Sequence, residues 1–267
     1  MGLPRRGGAP AATRWQLAGH GHWRGEFLSS LAPLPADTWA TESYRPNVPL
    51  AEARLAPLGV RVIAFDEDSQ LPLPDGRFDM VINRHESFSA HEVRRVLRPG
   101  GLFLTQQVGG RDNVELNEAL QEDVALSYEQ WSAASAAEEI RAAGLEVLDE
   151  REAISKGHFT DLGAVLIYLR FAPWQIEGFS PQAFRTQLVR LHQRIQVAGG
   201  LTTGVHRFLL IARRQLKSAR GTSAAKTRSL SGWSGRAKRP PAGGSGGLAL
   251  LGECRAQRLQ VARAERR

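Results

Sequence analysis

Polar side chains stand at the ends of three successive apolar runs in the first third of the chain. Glu42 closes "TWATE", and Asp66 with Glu67 follows "VRVIAF". The third run, "FDMVIN", leads into Asn83, Arg84, His85 and Glu86. In an open parallel sheet, ligands bind outside the carboxyl ends of the strands. An acid on the second strand accepts hydrogen bonds from two ribose hydroxyls, and an acid after the third strand accepts one from an adenine amino group.

An alternation of strands and helices is needed to bring these side chains to one edge. The segment "VPLAEARLAPLG" predicts a helix ending at Gly59, where glycine takes the left-handed cap, and "SAHEVRRVLRPGG" predicts an amphipathic helix stopped by Pro99 and Gly100. Strands are predicted at residues 38–42, 60–66, 78–83 and 102–108. This pattern is typical of an α/β fold with a parallel sheet.

The second half of the chain gives further elements but no internal repeat. "LEVLDEREA" is predicted to be a strand, and "VHRFLLIARR" is predicted to be a final strand at the edge of the sheet. "DLGAVLIYLRF" fits either a buried helix or a strand. "SPQAFRTQLVRLHQRIQV" predicts a helix that begins at Ser180 with Pro181 in its first turn.

The order of these features is more specific than any one of them. Two predicted strands that each end in an acid come first, and they are followed by "LPLPDGRFDMVINRH", then by a helix, and then by "LRPGG". Over residues 25–214 the chain resembles the class I S-adenosylmethionine-dependent methyltransferases, and residues 71–110 resemble their small bacterial type-11-like members most strongly. The resemblance implies a doubly wound, Rossmann-like α/β sheet of seven strands with the last strand antiparallel. It also implies S-adenosyl-L-methionine as cofactor and methyl transfer to an acceptor that we expect to be a small molecule.

The same resemblance implies which residues contact the cofactor. It places Glu42 on the ribose and Asp66 with Glu67 near the adenine. Asn83 and His85 would lie beside the methionine half and the transferring methyl, and Gly25 follows the position of the family's glycine turn.

The family's reaction is an in-line displacement at a sulfonium methyl, and much of its catalysis is positioning. A general base helps when the nucleophile is a hydroxyl or a carbon acid. His85, Glu86 and His158 are the candidates for that base, although a lone histidine is more often structural.

Four further residues are candidates for the substrate side. Gln106 and Gln107 end the predicted strand 102–108, and one of the two must point away because neighbours on a strand face opposite sides. Trp174 and Tyr168 either line a substrate pocket or belong to the core.

The family's glycine-rich first motif, of the type "LDxGxGxG", is absent. "LAGHGHWR" stands in its place, and His20 and His22 alone are too few ligands for a metal site. Shifting the reading frame of residues 17–24 by one nucleotide permits "LLDMGTGG", which joined to "GEF" restores the motif. We therefore hypothesise that residues 1–24 are an aberrant, frame-shifted segment. This predicts an absent or degraded first strand and weak or absent cofactor binding.

The net charge of +8 is carried by the two ends of the chain. Residues 215–267 contain 12 Lys or Arg and 2 acids, whereas residues 25–214 contain 19 basic and 25 acidic side chains. The tail is rich in Ser, Gly and Ala, so we expect residues 215–267 to be disordered.

No apolar run approaches the roughly 18 residues of a membrane span, and no signal core precedes the domain, so we expect a cytoplasmic protein with no membrane partner. Cys254 is the only cysteine, which excludes a disulfide within the chain.

Three functions remain open at this point. The first is methyl transfer to a small molecule, and the second is an inactive methyltransferase remnant that lacks the glycine loop. The third is nucleic-acid binding, or RNA methylation, through the basic tail; it predicts binding that weakens steeply with salt. We do not expect a nucleic-acid partner, because the basic charge lies outside the predicted domain. A dehydrogenase would also use strand-end acids, but "PDGRFD" and "LRPGG" favour the methyltransferase.

Overall fold

The computed structural model of the protein describes residues 16–20, 25–124 and 126–216. Strands and helices alternate along this part of the chain, as the sequence predicts. The strands are β1 (Gln16–His20), β2 (Asp37–Glu42), β3 (Arg61–Ala64), β4 (Phe78–Arg84), β5 (Leu97–Val108), β6 (Leu145–Phe159) and β7 (Leu201–Arg214). The helices are α1 (Glu26–Ser30), α2 (Val48–Leu55), α3 (Ala90–Val96), α4 (Val114–Leu120), α5 (Ala133–Ala142), α6 (Leu162–Phe171) and α7 (Arg185–Ala198).

All seven strands form one sheet in the order β3-β2-β1-β4-β5-β7-β6. Strands β1 to β5 are parallel, and β7 runs antiparallel to both β5 and β6. The predicted α/β sheet of seven strands with an antiparallel last strand is therefore confirmed. The prediction that β7 is an edge strand is wrong. Its residues Phe208, Leu210 and Ala212 are buried, whereas β6 is mostly exposed and takes the edge.

The first strand is present, which contradicts the predicted loss. Strand β1 lies in the middle of the sheet, where Leu17 is in register with Thr38 of β2 and with Met80 of β4. The pairing is made by backbone groups, so it does not require the family's side chains. The sheet therefore begins upstream of the boundary predicted at Gly25. His22 and Trp23 lie outside the described residues, as do the side chain of His20 and residues 217–267 of the predicted disordered tail.

Two large apolar clusters pack on the sheet and on its extension. The first surrounds Phe78, Phe103 and Phe208 and includes α3 and α5. The second includes Leu116 of α4, Leu169 of α6 and residues of α7. Strand β5 ends in register with Arg207 of β7, but β6 and β7 stay paired as far as Leu201. This two-stranded extension carries the second cluster beyond the carboxyl end of β5.

The loop "LPLPDG" is fixed by one arginine of α3. Arg95 donates to the carbonyl oxygens of Leu71 (2.9 Å) and Leu73 (2.7 Å) and to Asp75 Oδ1 (2.5 Å). Glu92 accepts from Arg95 Nε (2.8 Å) and from the Leu71 N–H (2.8 Å). The loop that carries much of the family resemblance is thus held in one place by side chains of the following helix.

Three helix predictions are refined by the structure. Helix α3 ends at Val96, and "LRPGG" begins β5 instead of closing the helix. The ambiguous segment "DLGAVLIYLRF" forms α6, whose first turn is capped by Asp161. Helix α7 begins at Arg185, later than predicted, because Ser180 caps a separate turn by accepting from the Ala183 N–H at 3.1 Å. None of the helices that the structure describes is long and apolar enough to cross a membrane.

Candidate functional site

Glu42 lies at the carboxyl end of β2, beside the end of β1. Its exposed fraction is 6%, and its Oε1 accepts from the Tyr44 N–H at 2.8 Å. Thr41, its neighbour, is in register with His20, the last residue of β1. A buried carboxylate at this position has the placement that ribose recognition requires.

Asp66 and Glu67 follow β3 and are both exposed. Asp66 forms an ion pair with Arg45, with 2.6 Å between Oδ1 and Nη2, and Glu67 Oε2 accepts from Ser69 Oγ at 3.1 Å. The Phe65 N–H donates to the Glu42 carbonyl at 3.3 Å, so the two strand ends are adjacent. The structure therefore brings the predicted adenine acids next to the predicted ribose acid.

Asn83 is the centre of a buried hydrogen-bond group at the ends of β4 and β5. Its Oδ1 accepts from Thr105 Oγ1 (2.8 Å) and from Gln107 Nε2 (2.6 Å). Gln107 also donates to the Glu86 carbonyl at 3.0 Å. Gln106 points the other way, where its Oε1 accepts from Arg84 Nε at 3.0 Å. The expected alternation of the two glutamines is confirmed, and the inward one holds the β4 end in place.

His85 follows Arg84, the last residue of β4, and is held by its backbone. Its N–H donates to the Gln106 carbonyl at 2.8 Å, and its φ is 54°, in the left-handed region. The side chain is 4% exposed, and within the described residues its Nε2 is buried without a hydrogen-bond partner. Burial, followed by the positive charges of Arg207 and Arg84, lowers the pKa of His85 to about 3. The ring is therefore neutral at physiological pH, and its open Nε2 can bind a polar group of a ligand.

Glu86, the neighbouring base candidate, is also buried at 5% exposure. It shares the strand-end position of His85, so the structure brings both base candidates to the carboxyl end of β4. His158 lies elsewhere. It is exposed, pairs in register with Thr202 on the far part of the β6–β7 extension, and lies 3.2 Å from the Gly199 carbonyl through Nε2.

Gly25 has a packing role. It precedes α1 with a φ of 78°, and a Cβ at this position would come within 2.7 Å of Leu55. A side chain would therefore displace α2 as well as strain the backbone. The turn before it, residues 21–24, lies outside the described residues.

A cleft of about 100 Å³ opens just beyond β5. We call it the edge cleft. It is lined by Val108, Gly109, Gly110, Asp112, Asn117, Gln121, Leu126, Ser127, Tyr128, Trp131, Trp174, Gln175 and Glu177. Trp174, a substrate candidate, is thus part of a cleft, whereas Tyr168 is buried in the second cluster beside Phe159.

Sequence reasoning missed most of this lining. Tyr128 and Trp131 lie in "LSYEQWSA", where aromatic residues interrupt an otherwise polar segment, and that interruption was the available signal. The polar floor gave no such signal. Tyr168 donates to Gln175 Oε1 (2.9 Å) and accepts from Asn113 Nδ2 (2.9 Å), which joins α4 and α6 to the cleft.

A second buried group supports the floor from β7. Asp112 Oδ1 accepts from Arg207 Nη1 (2.6 Å) and from the His206 N–H (2.9 Å). His206 Nδ1 accepts from the Arg111 N–H at 3.2 Å, so its Nε2 carries the proton and donates to Glu152 Oε1 at 2.6 Å. These contacts fix the turn after β5 that carries the cleft.

The described residues fit S-adenosylmethionine on its nucleoside side. Glu42 is a buried carboxylate at the end of β2, where a ribose acceptor is expected, and Asp66 and Glu67 place carboxylates at the next strand end. Among the residues that the structure describes, no three His, Cys, Asp or Glu side chains form a group that could hold a metal ion.

Comparisons with known proteins agree with this geometry. Residues 18–105 match the family described as "Methyltransferase domain". Among solved structures, a candidate methyltransferase from Bacillus halodurans C-125 is similar with a TM-score of 0.54 at 16% identity, covering 77% of this chain and 95% of that one. The YcgJ protein from Bacillus subtilis has a TM-score of 0.53 at 16% identity, covering 76% and 93%.

A third similar structure is the cyclase SpnF, with a TM-score of 0.50 at 18% identity, covering 76% of this chain and 75% of that one. No curated protein sequence matches the chain. At these identities the solved structures establish the fold, and the match of residues 18–105 establishes the kind of domain. Residues 18–105 are therefore a methyltransferase domain, and the seven-stranded sheet with its antiparallel last strand is the fold expected of class I S-adenosylmethionine-dependent methyltransferases.

Proposed function

We propose that this chain uses S-adenosylmethionine to methylate a small-molecule acceptor bound in the edge cleft. The observation that carries the proposal is the position of Glu42. A carboxylate that is 6% exposed at the end of β2, beside the end of β1, has the position from which a strand-end acid accepts hydrogen bonds from two ribose hydroxyls.

The acceptor would approach from the β5 side of the same edge. The edge cleft begins at Val108, directly after Gln107, and Gln107 is bonded to the strand end that carries His85 and Glu86. Its volume of about 100 Å³ lies below the few hundred Å³ of pockets for drug-sized ligands. The part of the acceptor that enters it is therefore a small group.

Each part of the site then has a separate task. The bound cofactor supplies an electrophilic methyl group. Glu42 binds its ribose, and the Asn83 and Gln107 pair holds the β4 and β5 ends at a fixed separation. His85, neutral and with an open Nε2, hydrogen-bonds to the acceptor or to the cofactor.

Titration of the full chain with S-adenosylhomocysteine tests the proposal. Replacing Glu42→Gln removes the charge but keeps the size, and we expect about 10- to 100-fold weaker binding because hydrogen bonds to charged groups contribute roughly 1.5–3 kcal/mol. The matched control is Glu52→Gln, an exposed acid of α2, which should bind like the unaltered chain. Equal affinity of the Glu42→Gln variant and the unaltered chain would contradict the assignment.

A catalytically inactive remnant is the second candidate. It is favoured by the sequence "GHGHWR", which stands where the family has its glycine turn. This candidate predicts that calorimetry detects no S-adenosylhomocysteine binding at millimolar ligand. Binding with a micromolar Kd by the full chain of 267 residues would exclude it. The DNA sequence around codons 10 to 26 tests its origin, because a frame-shifted loop must spell a glycine turn in the alternative frame.

A further inference from the structure

We infer that the edge cleft takes an amine or ammonium group, so that nitrogen is the atom methylated. This inference rests on the proposed function for the reaction, but the chemistry of the cleft stands on its own side chains. The charge of the cleft lining favours a cationic ligand. The ionisable acids of the lining are Glu177, which is exposed, and Asp112, which is paired with Arg207, and no lining residue within the described chain is Lys, Arg or His.

The aromatic side chains of the cleft lining also favour a cationic ligand. Tyr128, Trp131 and Trp174 all line the cleft and are half-buried. Trp131 is fixed by an edge-to-face contact with Phe208, whose ring centroid lies 5.6 Å away. The faces of Trp and Tyr rings attract cations, and an aromatic wall with a nearby acid is the usual arrangement for binding an ammonium group.

Several hydrogen-bond donors of the cleft are already used within the protein. Both N–H groups of the Asn117 amide are used, on Gln175 O (2.7 Å) and Gln121 Oε1 (3.2 Å). Both N–H groups of the Gln175 amide are used as well, on Asp112 O (3.0 Å) and Asn117 Oδ1 (2.5 Å). The backbone N–H groups of Gly109 and Gly110 donate to His206 and Trp131 carbonyls. The Asn117 and Gln175 amides and these two backbone groups therefore have no N–H left for an anionic ligand, and a cationic or N–H-bearing group suits this part of the cleft better.

The reaction in this cleft balances without any further reactant. A bound ammonium first gives one proton to water, because attack requires a free lone pair on nitrogen. That lone pair attacks the methyl carbon of the sulfonium, the carbon–sulfur bond breaks, and its electron pair stays on sulfur, which gives S-adenosylhomocysteine. Positive charge thereby moves from sulfur to nitrogen. A primary or secondary amine then releases its N–H proton to water. The aromatic wall and Glu177 stabilise the charge that develops on nitrogen.

Two probes of the same shape test the inference on the full chain. Choline carries a trimethylammonium group, and 3,3-dimethyl-1-butanol replaces its nitrogen with carbon. We expect choline to bind at least about tenfold more tightly, measured by calorimetric titration with and without saturating S-adenosylhomocysteine. Equal binding of the two probes, or no binding of choline in either condition, would overturn the inference.

Side-chain variants then locate the site. Trp174→Leu and Glu177→Gln should each weaken choline binding severalfold and leave the binding of 3,3-dimethyl-1-butanol unchanged. The control is Glu129→Gln, an exposed acid that does not line the cleft. Unchanged choline affinity in both cleft variants would place the ammonium elsewhere and overturn the inference. Failure of the proposed function is seen separately, as absence of S-adenosylhomocysteine binding while the choline preference persists.

Discussion

His85 combines two unfavourable features in one residue. A φ of 54° costs a non-glycine residue roughly 1–2 kcal/mol, and a buried nitrogen without a partner costs roughly 1–3 kcal/mol more. Such strain concentrates at functional sites, where the surrounding structure maintains it. Here the surrounding structure is the bond from the His85 N–H to Gln106 and the Asn83 and Gln107 pair beside it. The geometry thus favours His85 over His158 as the candidate histidine of the site.

The neutral state of His85 has a consequence for stability in acid. The unfolded chain protonates this histidine below pH about 6.5, whereas the folded chain does so only near pH 3. The stability that neutral His85 contributes to the folded state is therefore fully present above pH 6.5 and is lost as the pH falls toward 3. We expect the unaltered chain to lose roughly 2 kcal/mol more than His85→Asn between pH 7 and pH 5. Asparagine suits this comparison because it tolerates a positive φ and does not titrate.

Urea unfolding at pH 7 and pH 5 measures that difference. His91→Asn, which replaces an exposed histidine on α3, is the control and should follow the unaltered chain. If His85→Asn lost stability with pH as steeply as the unaltered chain, the buried neutral histidine would be the wrong description.

At the scale of elements, α3 and the loop before β4 form one unit. Arg95 donates to the loop carbonyls of Leu71 and Leu73, and Glu92 accepts from the Leu71 N–H. The hydrogen bond from Arg95 is the main reason that the pKa of Glu92 lies below its usual value. The "LPLPDG" and "EVRRVL" segments therefore belong together for structural reasons, and neither needs to touch the cofactor.

Replacing Arg95→Lys should cost about 1–3 kcal/mol of unfolding free energy. A lysine has no planar fork and cannot reach the carbonyls of Leu71 and Leu73 together with Glu92. Arg94→Lys is the matched control, because Arg94 is the adjacent and exposed residue of the same helix. Urea unfolding of the two variants measures the difference. Equal stability would show that the ion pairs, which are partly exposed, contribute little and that the carbonyl contacts are dispensable.

At the scale of the whole molecule, charge is divided between the domain and the tail. Residues 25–214 carry six more acids than bases, whereas residues 215–267 carry ten more bases than acids. A domain of this charge repels a phosphate backbone, and a basic tail attracts it regardless of sequence. We therefore expect methyl transfer and any nucleic-acid binding to belong to different parts of the chain.

Removing residues 217–267 tests this division. We expect any binding to a single-stranded oligonucleotide to disappear in the shortened chain and to weaken in the full chain by at least tenfold between 50 and 200 mM salt. S-adenosylhomocysteine affinity should be the same for both chains. Fluorescence anisotropy and calorimetry measure the two effects. Oligonucleotide binding retained by the shortened chain would assign a nucleic-acid surface to the domain.

The sequence by itself determined strands β2 to β7, the strand-end acids and the kind of domain. These are local properties: an apolar run forms a buried strand, and Glu42 or Asn83 follows it at a fixed position in the chain. The same local reasoning was wrong about β1, since it judged "LAGH" by its side chains, and β1 pairs through its backbone with two strands that are far away in sequence.

Only the tertiary structure decided which residues meet. The edge cleft combines Val108, Trp131 and Trp174, which come from a strand end and two separate connecting segments. The placement of β7 inside the sheet, and of His158 away from His85, follows from the register of the β6–β7 pair. Register and packing depend on partners remote along the chain, so no local pattern contains them. For that reason the sequence was enough to indicate the family, whereas the tertiary structure was needed to propose an acceptor.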